Sequence, residues 1–405
     1  MKTSRRDALK LIGAAGLTLA LARVCDVLSS AGEQTLPPSR ITNLLPDYFN
    51  NARQNVVVHD GQRALLSSHF YPQATYVRDA FYGPLALNDA GLSTECYRWF
   101  ARAQDTTTGQ IRTAVPFDPN DEPQFPAQDD DSSLLFVIWS MWLKRNRVAV
   151  DQAVVERAFA FVKAHVRDDQ FISPAGAFRY WADTVLFDTA ERITHNQGLY
   201  VVALRAMIEL GWGSVTPQDY ANARSHYAAF YRPSLGALTL GQDSWWADKL
   251  DISALFPEFL LRWLFDESAL PDEMIRSTLG RFRQTASVTR HAAIAGIKAI
   301  CAPDGSFLPR EKFFAPGLNW PGDYQNGGYW PMYTLIALAL DYKIAPEPAS
   351  KQLIEELVTL ELATDHRSKE VIILTTEAIG TVNPDRSGYT WNALIVPALK
   401  WAGVT

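Results

Sequence analysis

The stretch Leu134-Leu135-Phe136-Val137-Ile138-Trp139-Ser140-Met141-Trp142 decides the fold class, because nearly every residue in it is apolar. A helix that is apolar around its whole circumference is buried on every side. Gly198–Leu210 and Tyr329–Leu340 are of the same kind. Between such stretches lie amphipathic segments that have one polar face, among them Gln152–Val166, Pro217–Tyr231 and Lys351–Glu361.

This alternation of buried and amphipathic helices predicts an inner ring of helices inside an outer ring. Six such pairs make an all-α (α/α)6 toroid, and an unrelated helical bundle is the alternative. Ser93 or Thr94 is expected to cap one of the helices, because Gly91 breaks the chain just before them. Hydrophobic periodicity places the helices at roughly 40–53, 75–90, 93–104, 131–146, 151–166, 193–210, 217–231, 253–266, 271–290, 329–342, 348–363 and 388–402.

The N-terminal residues 1–31 are predicted to be an export signal. Ser4-Arg5-Arg6-Asp7-Ala8-Leu9-Lys10 resembles the twin-arginine motif, which implies the Tat translocase as a partner during export. The apolar run Leu11–Ala22 that follows is shorter than the ~20 residues of a membrane span. We therefore expect a periplasmic, cell-envelope or secreted protein without a further membrane span. An uncleaved amphipathic helix is the alternative.

Residues 32–405 are predicted to form one domain, because no linker or charge block divides the chain after the short linker at Pro37-Pro38. The net charge of −6 and the pI of about 5.7 disfavour a nucleic-acid partner. Among the three cysteines there is no CxxC, and no HExxH occurs, so we expect no metal. Once the signal with Cys25 is removed, Cys96 and Cys301 either form a disulfide or remain as two buried thiols.

The long loops that lead into the inner helices are expected to meet at one end of the ring and form a site. These loops are 68–79, 116–131, 183–197, 241–252 and 314–330. In the first, Arg78 and Asp79 begin a mostly apolar helix. A carboxylate accepts from two vicinal hydroxyls of a sugar ring and a guanidinium donates to them. The alternative role for Asp79 is to stabilise the helix N-terminus.

The second loop contains three consecutive acids, Asp129, Asp130 and Asp131. Neighbouring carboxylates raise one another's pKa, and a raised pKa suits a general acid near neutral pH. The alternative is that Asp130 or Asp131 caps the helix that opens with Ser132.

Two further segments carry candidate residues. Asn319–Pro331 is rich in Gly, Trp and amide side chains, where glycines allow a ligand to approach the backbone. Tryptophan stacks on the C–H faces of a sugar and amides bind its hydroxyls. Glu377 closes the apolar run Val371–Leu374, and is either a half-buried carboxylate or an ordinary surface residue.

Together these segments resemble the (α/α)6 glycoside hydrolases, nearest to the neutral/alkaline invertases, and also the group of processing α-glucosidases and bacterial glucosylglycerate hydrolases. Tyr76-Val77-Arg78-Asp79 resembles the substrate-binding Phe-Ile/Val-Arg-Asp segment of the invertases. Asp131-Ser132-Ser133-Leu134 is similar to their Asp-Ser-Gly-Leu, with Ser133 in place of Gly. Asn326-Gly327-Gly328-Tyr329-Trp330-Pro331 is similar to their Asn-Gly-Gly-Ser-Trp-Pro. Glu377 with Thr390-Trp391 resembles their C-terminal segment, although Ala378-Ile379-Gly380 replaces its Tyr-Tyr-Asp.

The resemblance implies an inverting hydrolase that cleaves an α-glycosidic bond of a small oligosaccharide or glucoside, without a cofactor. It implies Asp131 as the general acid and Glu377 as the general base. Inversion leaves room for water between two carboxyls about 6.5–9.5 Å apart. Residues expected to contact or enclose the sugar are Arg78, Asp79, Asp129, Asp130, His195, Asn196, Gln197, Trp245, Trp246, Trp320, Asp323, Gln325, Asn326, Trp330 and Trp391.

Three other functions stay open at this point. A non-catalytic glycan-binding protein would show the same aromatic and polar residues. A polysaccharide lyase uses a similar fold. A class II terpene cyclase also combines helical rings, aromatic walls and an Asp-rich motif, although the acids here are Gln128-Asp129-Asp130-Asp131 rather than Asp-x-Asp-Asp.

Overall fold

The computed structural model describes residues 40–118, 120, 130–290, 293–374 and 387–405. The predicted export signal, Asp129 and Glu377 therefore lie outside the described residues. The chain divides into a unit of residues 1–43, of which 40–43 are described, and a compact unit of residues 44–405.

Twelve α-helices occur in the described residues, as the sequence predicts. They are α1 (Arg40–Gln54), α2 (Val77–Leu87), α3 (Ala90–Arg102), α4 (Asp131–Arg145), α5 (Gln152–Ala164), α6 (Thr194–Leu210), α7 (Pro217–Ala228), α8 (Phe256–Phe265), α9 (Asp272–Arg281), α10 (Pro331–Ile344), α11 (Pro348–Leu362) and α12 (Ile395–Ala402).

The even-numbered helices form a closed inner ring. Each packs against the next, from α2 through α4, α6, α8 and α10 to α12, and α12 packs back against α2. All residues of α4 from Asp131 to Leu143 are buried, whereas α5 buries one face only. The (α/α)6 toroid is therefore confirmed.

Short antiparallel strand pairs connect the helices. They are β1 (Val56–His59) with β2 (Gln62–Leu65), β3 (Ala74–Tyr76) with β4 (Ala114–Pro116), β5 (Val166–Arg167) with β6 (Gln170–Phe171), β7 (Tyr231–Arg232) with β8 (Ala237–Leu238), β9 (Leu250–Asp251) with β12 (Ile300–Cys301), and β10 (Ser287–Arg290) with β11 (Ala293–Ile297). The β3–β4 pair ends where α2 begins, and so fixes the direction in which the first turn of α2 points.

Some sequence-based details differ from the structure. The helix expected over 271–290 ends at Arg281, continues as a π-helical turn, and gives way to β10. Helix α3 begins before Ser93 and Thr94, because Asp89 caps it by accepting from the Leu92 N–H at 2.8 Å. The last helix begins only at Ile395, after a 3-10 turn over Trp391–Leu394.

Cys96 and Cys301 are both buried and unpaired, so the reading as two thiols is confirmed. Among the described helices, none is both long and apolar enough to cross a membrane.

Candidate active site

A cavity opens at the end of the ring where the inner helices begin. Its lining comes from six separate parts of the chain: Ser67, Tyr71, Tyr76, Arg78, Asp79, Thr113, Phe178, Trp181, Asp183, Tyr324, Trp330, Glu370, Tyr389 and Trp391. Of the loops expected before the inner helices, 68–79, 314–330 and, through Asp183, 183–197 contribute residues to the cavity lining. The loop 241–252 contributes no lining residue, and most of 116–131 lies outside the described residues.

The first turn of α2 supplies the polar floor of the cavity. Helix α2 starts directly after β3, and its first N–H, of Val77, donates to the Thr113 carbonyl at 2.9 Å. Arg78 and Asp79 are therefore held at the cavity although both are buried. This is the placement that the sequence predicts for the pair.

Arg78 is fixed from behind by Asp131. Its Nε donates to Asp131 Oδ2 at 3.0 Å and its Nη2 donates to Asp131 Oδ1 at 2.9 Å. The Asp131 side chain is 1 % exposed and does not line the cavity. Such a two-bond pair fixes the plane of the guanidinium as well as its position. Asp131 thus lies beneath the cavity floor, and its neighbour Asp130 occupies the N-cap position of α4 without a side-chain capping bond.

Asp79 is held by donors on both sides. The Ser67 hydroxyl donates to Oδ2, and the Trp391 backbone N–H donates to Oδ1 at 3.2 Å. Burial raises the pKa of the Asp79 carboxyl to about 6, although these bonds and Arg78 act in the opposite direction. Through the bond from Trp391, Asp79 also joins α2, the first inner helix, to the segment that precedes α12, the last inner helix.

Asp183 is a half-buried carboxylate in the cavity wall. Its Oδ1 accepts from Gln325 Nε2 at 2.7 Å and from the Tyr324 hydroxyl at 3.4 Å. Gln325 Oε1 in turn accepts from the Thr184 N–H at 2.8 Å. The two loops before α6 and α10 therefore hold the Asp183 carboxylate in one orientation.

Aromatic rings form most of the remaining wall. Trp330 lies 4.9 Å from Trp181, 5.2 Å from Tyr324 and 5.9 Å from Trp391 between ring centroids. Two buried donors in this wall, the Tyr76 hydroxyl and Trp391 Nε1, have no hydrogen-bond partner among the described residues. Since buried polar groups are normally paired, these two are suited to bind a polar ligand.

Glu370 is a third carboxylate of the cavity. It is buried and precedes Ile372, whose backbone pairs with that of Tyr329 in an isolated antiparallel bridge. This bridge places Glu370 beside the segment that leads into α10. Asp79, Asp183 and Glu370 thus approach one cavity from three parts of the chain.

Of the residues expected at the site, Arg78, Asp79, Trp330 and Trp391 line the cavity, and the other described ones do not. Gln325 and Asn326 are buried within the loop before α10, where Asn326 Nδ2 donates to the Leu308 carbonyl at 2.9 Å. Asp323 Oδ1 accepts from the Tyr324 N–H at 2.7 Å. Trp320 is 54 % exposed on the surface.

The residues His195, Asn196 and Gln197 make structural contacts instead. His195 Nδ1 lies 3.1 Å from the Ser253 carbonyl oxygen, and burial lowers the pKa of this imidazole to about 4. Asn196 Nδ2 donates to Ser173 Oγ at 3.0 Å and to the Arg179 carbonyl at 2.7 Å. Gln197 Oε1 accepts from the Phe171 N–H at 2.8 Å.

The tryptophan pair after β8 also lies away from the cavity lining. Trp246 is buried, and its Nε1 donates to the Leu186 carbonyl at 3.1 Å. Trp245 is partly exposed, with Lys249 Nζ 4.2 Å from its ring centroid.

Sequence reasoning missed several lining residues: Ser67, Tyr71, Phe178, Trp181, Asp183, Tyr324, Glu370 and Tyr389. The sequence pattern could have indicated Trp181 and Asp183, because Tyr180-Trp181-Ala182-Asp183 places an acid close to two aromatic residues shortly before a buried helix. Glu370 carries no such signal, since a lone acid next to Lys369 is typical of a solvated turn. Among the described residues no cluster of His, Cys, Asp and Glu could hold a metal ion.

No family model and no curated protein matches the sequence. Solved structures do resemble it in fold. A wild-type glycosidase matches with a TM-score of 0.63 and 15 % identity, over 92 % of this chain and 100 % of that one. A glycosidase variant in complex with glucose has the same TM-score at 14 % identity and the same coverage. A GH63 mannosylglycerate hydrolase from Thermus thermophilus, in complex with Tris and D-glycerate, matches with a TM-score of 0.60 and 11 % identity, over 88 % of this chain and 99 % of that one. Identities this low show a shared fold.

Proposed function

We propose that this protein is a glycoside hydrolase and that its substrate binds in the cavity at the beginning of the inner helices. The observation that carries the proposal is the combination of three carboxylates, one fixed guanidinium and a tryptophan-rich wall in one cavity. The glycosidase fold of the similar structures supports it.

The cavity chemistry suits a neutral sugar. Asp79 accepts hydrogen bonds from ring hydroxyls, while Arg78, Tyr76 and Trp391 Nε1 donate to them. Tryptophan rings have an apolar face and a polar edge, so they contact the C–H face of a sugar. Three carboxylates against one guanidinium that is already paired with Asp131 disfavour an anionic group on the sugar unit in the cavity.

We assign the general acid to Asp183 rather than to Asp131. A general acid must come within hydrogen-bonding distance of the leaving oxygen. Asp183 lines the cavity and is oriented by Gln325, whereas both oxygens of Asp131 already accept from Arg78 behind the cavity floor. Asp131 then acts as a positioning residue for Arg78.

The base role of Glu377 rests on the resemblance of its segment to the invertases. Glu370, which lines the cavity, is the other carboxylate suited to remove a proton from water. In our proposal Glu377 activates the water on the opposite face of the sugar ring, which gives inversion at an α-glycosidic bond. Glu370 binds sugar hydroxyls. Export by the twin-arginine pathway, which rests on residues 1–31, remains part of this proposal.

The test is hydrolysis of a panel of α- and β-linked di- and oligosaccharides, including sucrose, trehalose and glucosylglycerate, followed by NMR of the released anomer. We expect one α-linked substrate to be cleaved with inversion. Absence of turnover on every sugar would contradict the proposal, and an unsaturated product that absorbs near 235 nm would indicate a lyase.

Conservative variants distinguish the roles of the individual carboxylates. Asp183→Asn and Glu377→Gln should each lower kcat by about 10²–10⁴-fold, the range of general acid–base catalysis. Glu370→Gln should mainly raise KM, and Asp131→Asn should raise KM and lower stability through Arg78. Loss of kcat in Asp131→Asn with full activity in Asp183→Asn would return the acid role to Asp131.

A further inference from the structure

Two large aromatic residues are exposed close to the cavity, on the loop that precedes α10. Phe314 is 60 % exposed and Trp320 is 54 % exposed. Isolated exposed apolar residues are common on proteins. Here, however, two of them lie on one seven-residue loop, which is bonded to the cavity wall at several points.

The loop is attached directly beside Asp183. The Phe314 N–H donates to the Thr184 carbonyl at 2.7 Å, and Asn319 Nδ2 donates to Thr184 Oγ1 at 3.0 Å. At the far end of the loop, the Trp320 carbonyl accepts from the Asp323 N–H at 2.8 Å, one residue before Tyr324 of the cavity wall.

The aromatic surface continues into the cavity through Phe178. The ring of Phe314 lies 5.3 Å from that of Phe178, and Phe178 lines the cavity. Phe178 has a φ of 60°. A bulky residue in this left-handed region is strained, and strain of this kind clusters at ligand sites.

The indole of Trp320 is held in place by Arg310, although more than half of the residue is exposed. The Arg310 guanidinium carbon lies 3.4 Å from its ring centroid on one side. The same guanidinium donates to the Pro316 carbonyl through Nε at 2.9 Å and through Nη2, and so ties the middle of the loop to Trp320. A surface held in this way loses little conformational entropy when a ligand binds.

We propose that Phe314 and Trp320 form a binding surface for additional sugar units of an oligosaccharide whose terminal unit occupies the cavity. The inference rests on the proposed glycosidase function. Because the loop is bonded beside Asp183, the proposed proton donor, the additional units belong to the leaving group. The substrate class is then an oligosaccharide of three or more units rather than a disaccharide.

Chain-length dependence tests this surface. Substrates of two and of five units, with the linkage that the wild type cleaves, are compared for the wild type, Phe314→Ala and Trp320→Ala. We expect the wild type to prefer five units by about tenfold in kcat/KM, the effect of one well-placed aromatic contact. Each variant should lose most of this preference through KM, while its kcat/KM on the disaccharide stays unchanged.

Trp212→Ala is the matched control. Trp212 is also partly exposed and carries a cation on its ring, with Lys144 Nζ at 4.4 Å, but it follows the C-terminal end of α6, at the opposite end of the ring. The Trp212→Ala variant should prefer five units over two to the same extent as the wild type. A wild type without length preference, or a preference kept in both loop variants, would overturn the inference.

A binding measurement distinguishes failure of this inference from failure of the proposed function. Saturation-transfer NMR with 1→2-, 1→3-, 1→4- and 1→6-linked α-gluco-pentasaccharides needs no hydrolysis. Transfer to units beyond the first that disappears in Trp320→Ala supports the surface even if no sugar is cleaved. No such transfer with any of the four pentasaccharides would overturn it, whether or not a disaccharide is cleaved.

Discussion

Four aspartates of this protein show that the partners of a carboxylate, rather than its place in a motif, decide its role. Asp131 is paired with Arg78 and buried, Asp183 faces the cavity, and Asp79 joins two distant segments. Asp130 is 2 % exposed, and its Oδ2 has no hydrogen-bond partner among the described residues. The run Asp129-Asp130-Asp131 led us to expect a general acid among these three residues. The sequence does not tell which carboxylates of the chain line the cavity. That depends on loops that meet only in the closed ring.

Asp130 gives a prediction for stability against pH. Burial raises the pKa of its carboxyl to about 7, while a bond from Ser173 and the charge of Arg179 oppose the shift. The folded state therefore holds the proton more tightly than the unfolded chain, whose pKa is about 3.9. The stability that this proton contributes is complete below about pH 4 and is lost as the pH rises through about 7.

Asp130→Asn should consequently stabilise the protein by about 1–3 kcal/mol at pH 8 and change it little at pH 4. Urea unfolding at pH 4, 6 and 8 measures this difference. Asp60→Asn, at an exposed position, is the control for the removal of one carboxylate. A difference for Asp130→Asn that is the same at pH 4 and pH 8 would refute the prediction.

At the scale of the element, the alternation of fully apolar and amphipathic stretches was sufficient to predict twelve helices. It fails where helical periodicity continues past the end of the helix. After Arg281 the sequence still reads as helical, yet the chain adopts a π-helical turn and enters the β10–β11 hairpin. That hairpin depends on pairing between strands, which the local sequence does not encode.

Gly198 shows how closely the helices of the ring approach each other. A Cβ at this position would lie 2.6 Å from Pro257 Cβ, at the start of α8, and 2.9 Å from the Tyr227 ring of α7. Gly198→Ala should destabilise the protein by about 1–3 kcal/mol, because an overpacked core must shift backbone or rotamers.

Gly280 in α9 is the matched control, because nothing lies within 4 Å of a Cβ built there. Gly280→Ala should stabilise the protein by about 0.5–1 kcal/mol through helix propensity and a smaller unfolded-state entropy. Thermal unfolding of both variants measures the contrast. Equal effects of the same sign would show that helix propensity, not packing, governs position 198.

At the scale of the whole molecule, the toroid was predictable because burial on all sides requires neighbours on all sides. The lining of the cavity was predictable in part. Arg78, Asp79, Trp330 and Trp391 border inner helices and were found from the sequence. Asp183 and Glu370 reach the cavity by loop geometry, which periodicity does not describe.

Export is the property of the whole chain that the sequence predicts from residues 1–31. Arg5→Lys combined with Arg6→Lys should abolish transport, because the twin-arginine motif requires the pair. Fractionation of cells that express the full chain, followed by immunoblotting, measures this. The single exchange Lys10→Arg keeps the charge outside the pair and should leave export intact. Export of the double variant at the wild-type level would contradict the predicted pathway.

The bond from the Trp391 N–H to Asp79 has a consequence for the kinetics of folding. It joins residues 312 positions apart, at the point where α12 packs back against α2. Contacts of such long sequence separation form slowly, since the loop-closure entropy must be overcome first. The cavity lies at this contact, so its walls are complete only when the segment before α12 has packed against α2. Binding of the sugar that we propose as substrate should therefore recover in refolding together with the slowest phase, after most of the helical circular-dichroism signal has returned.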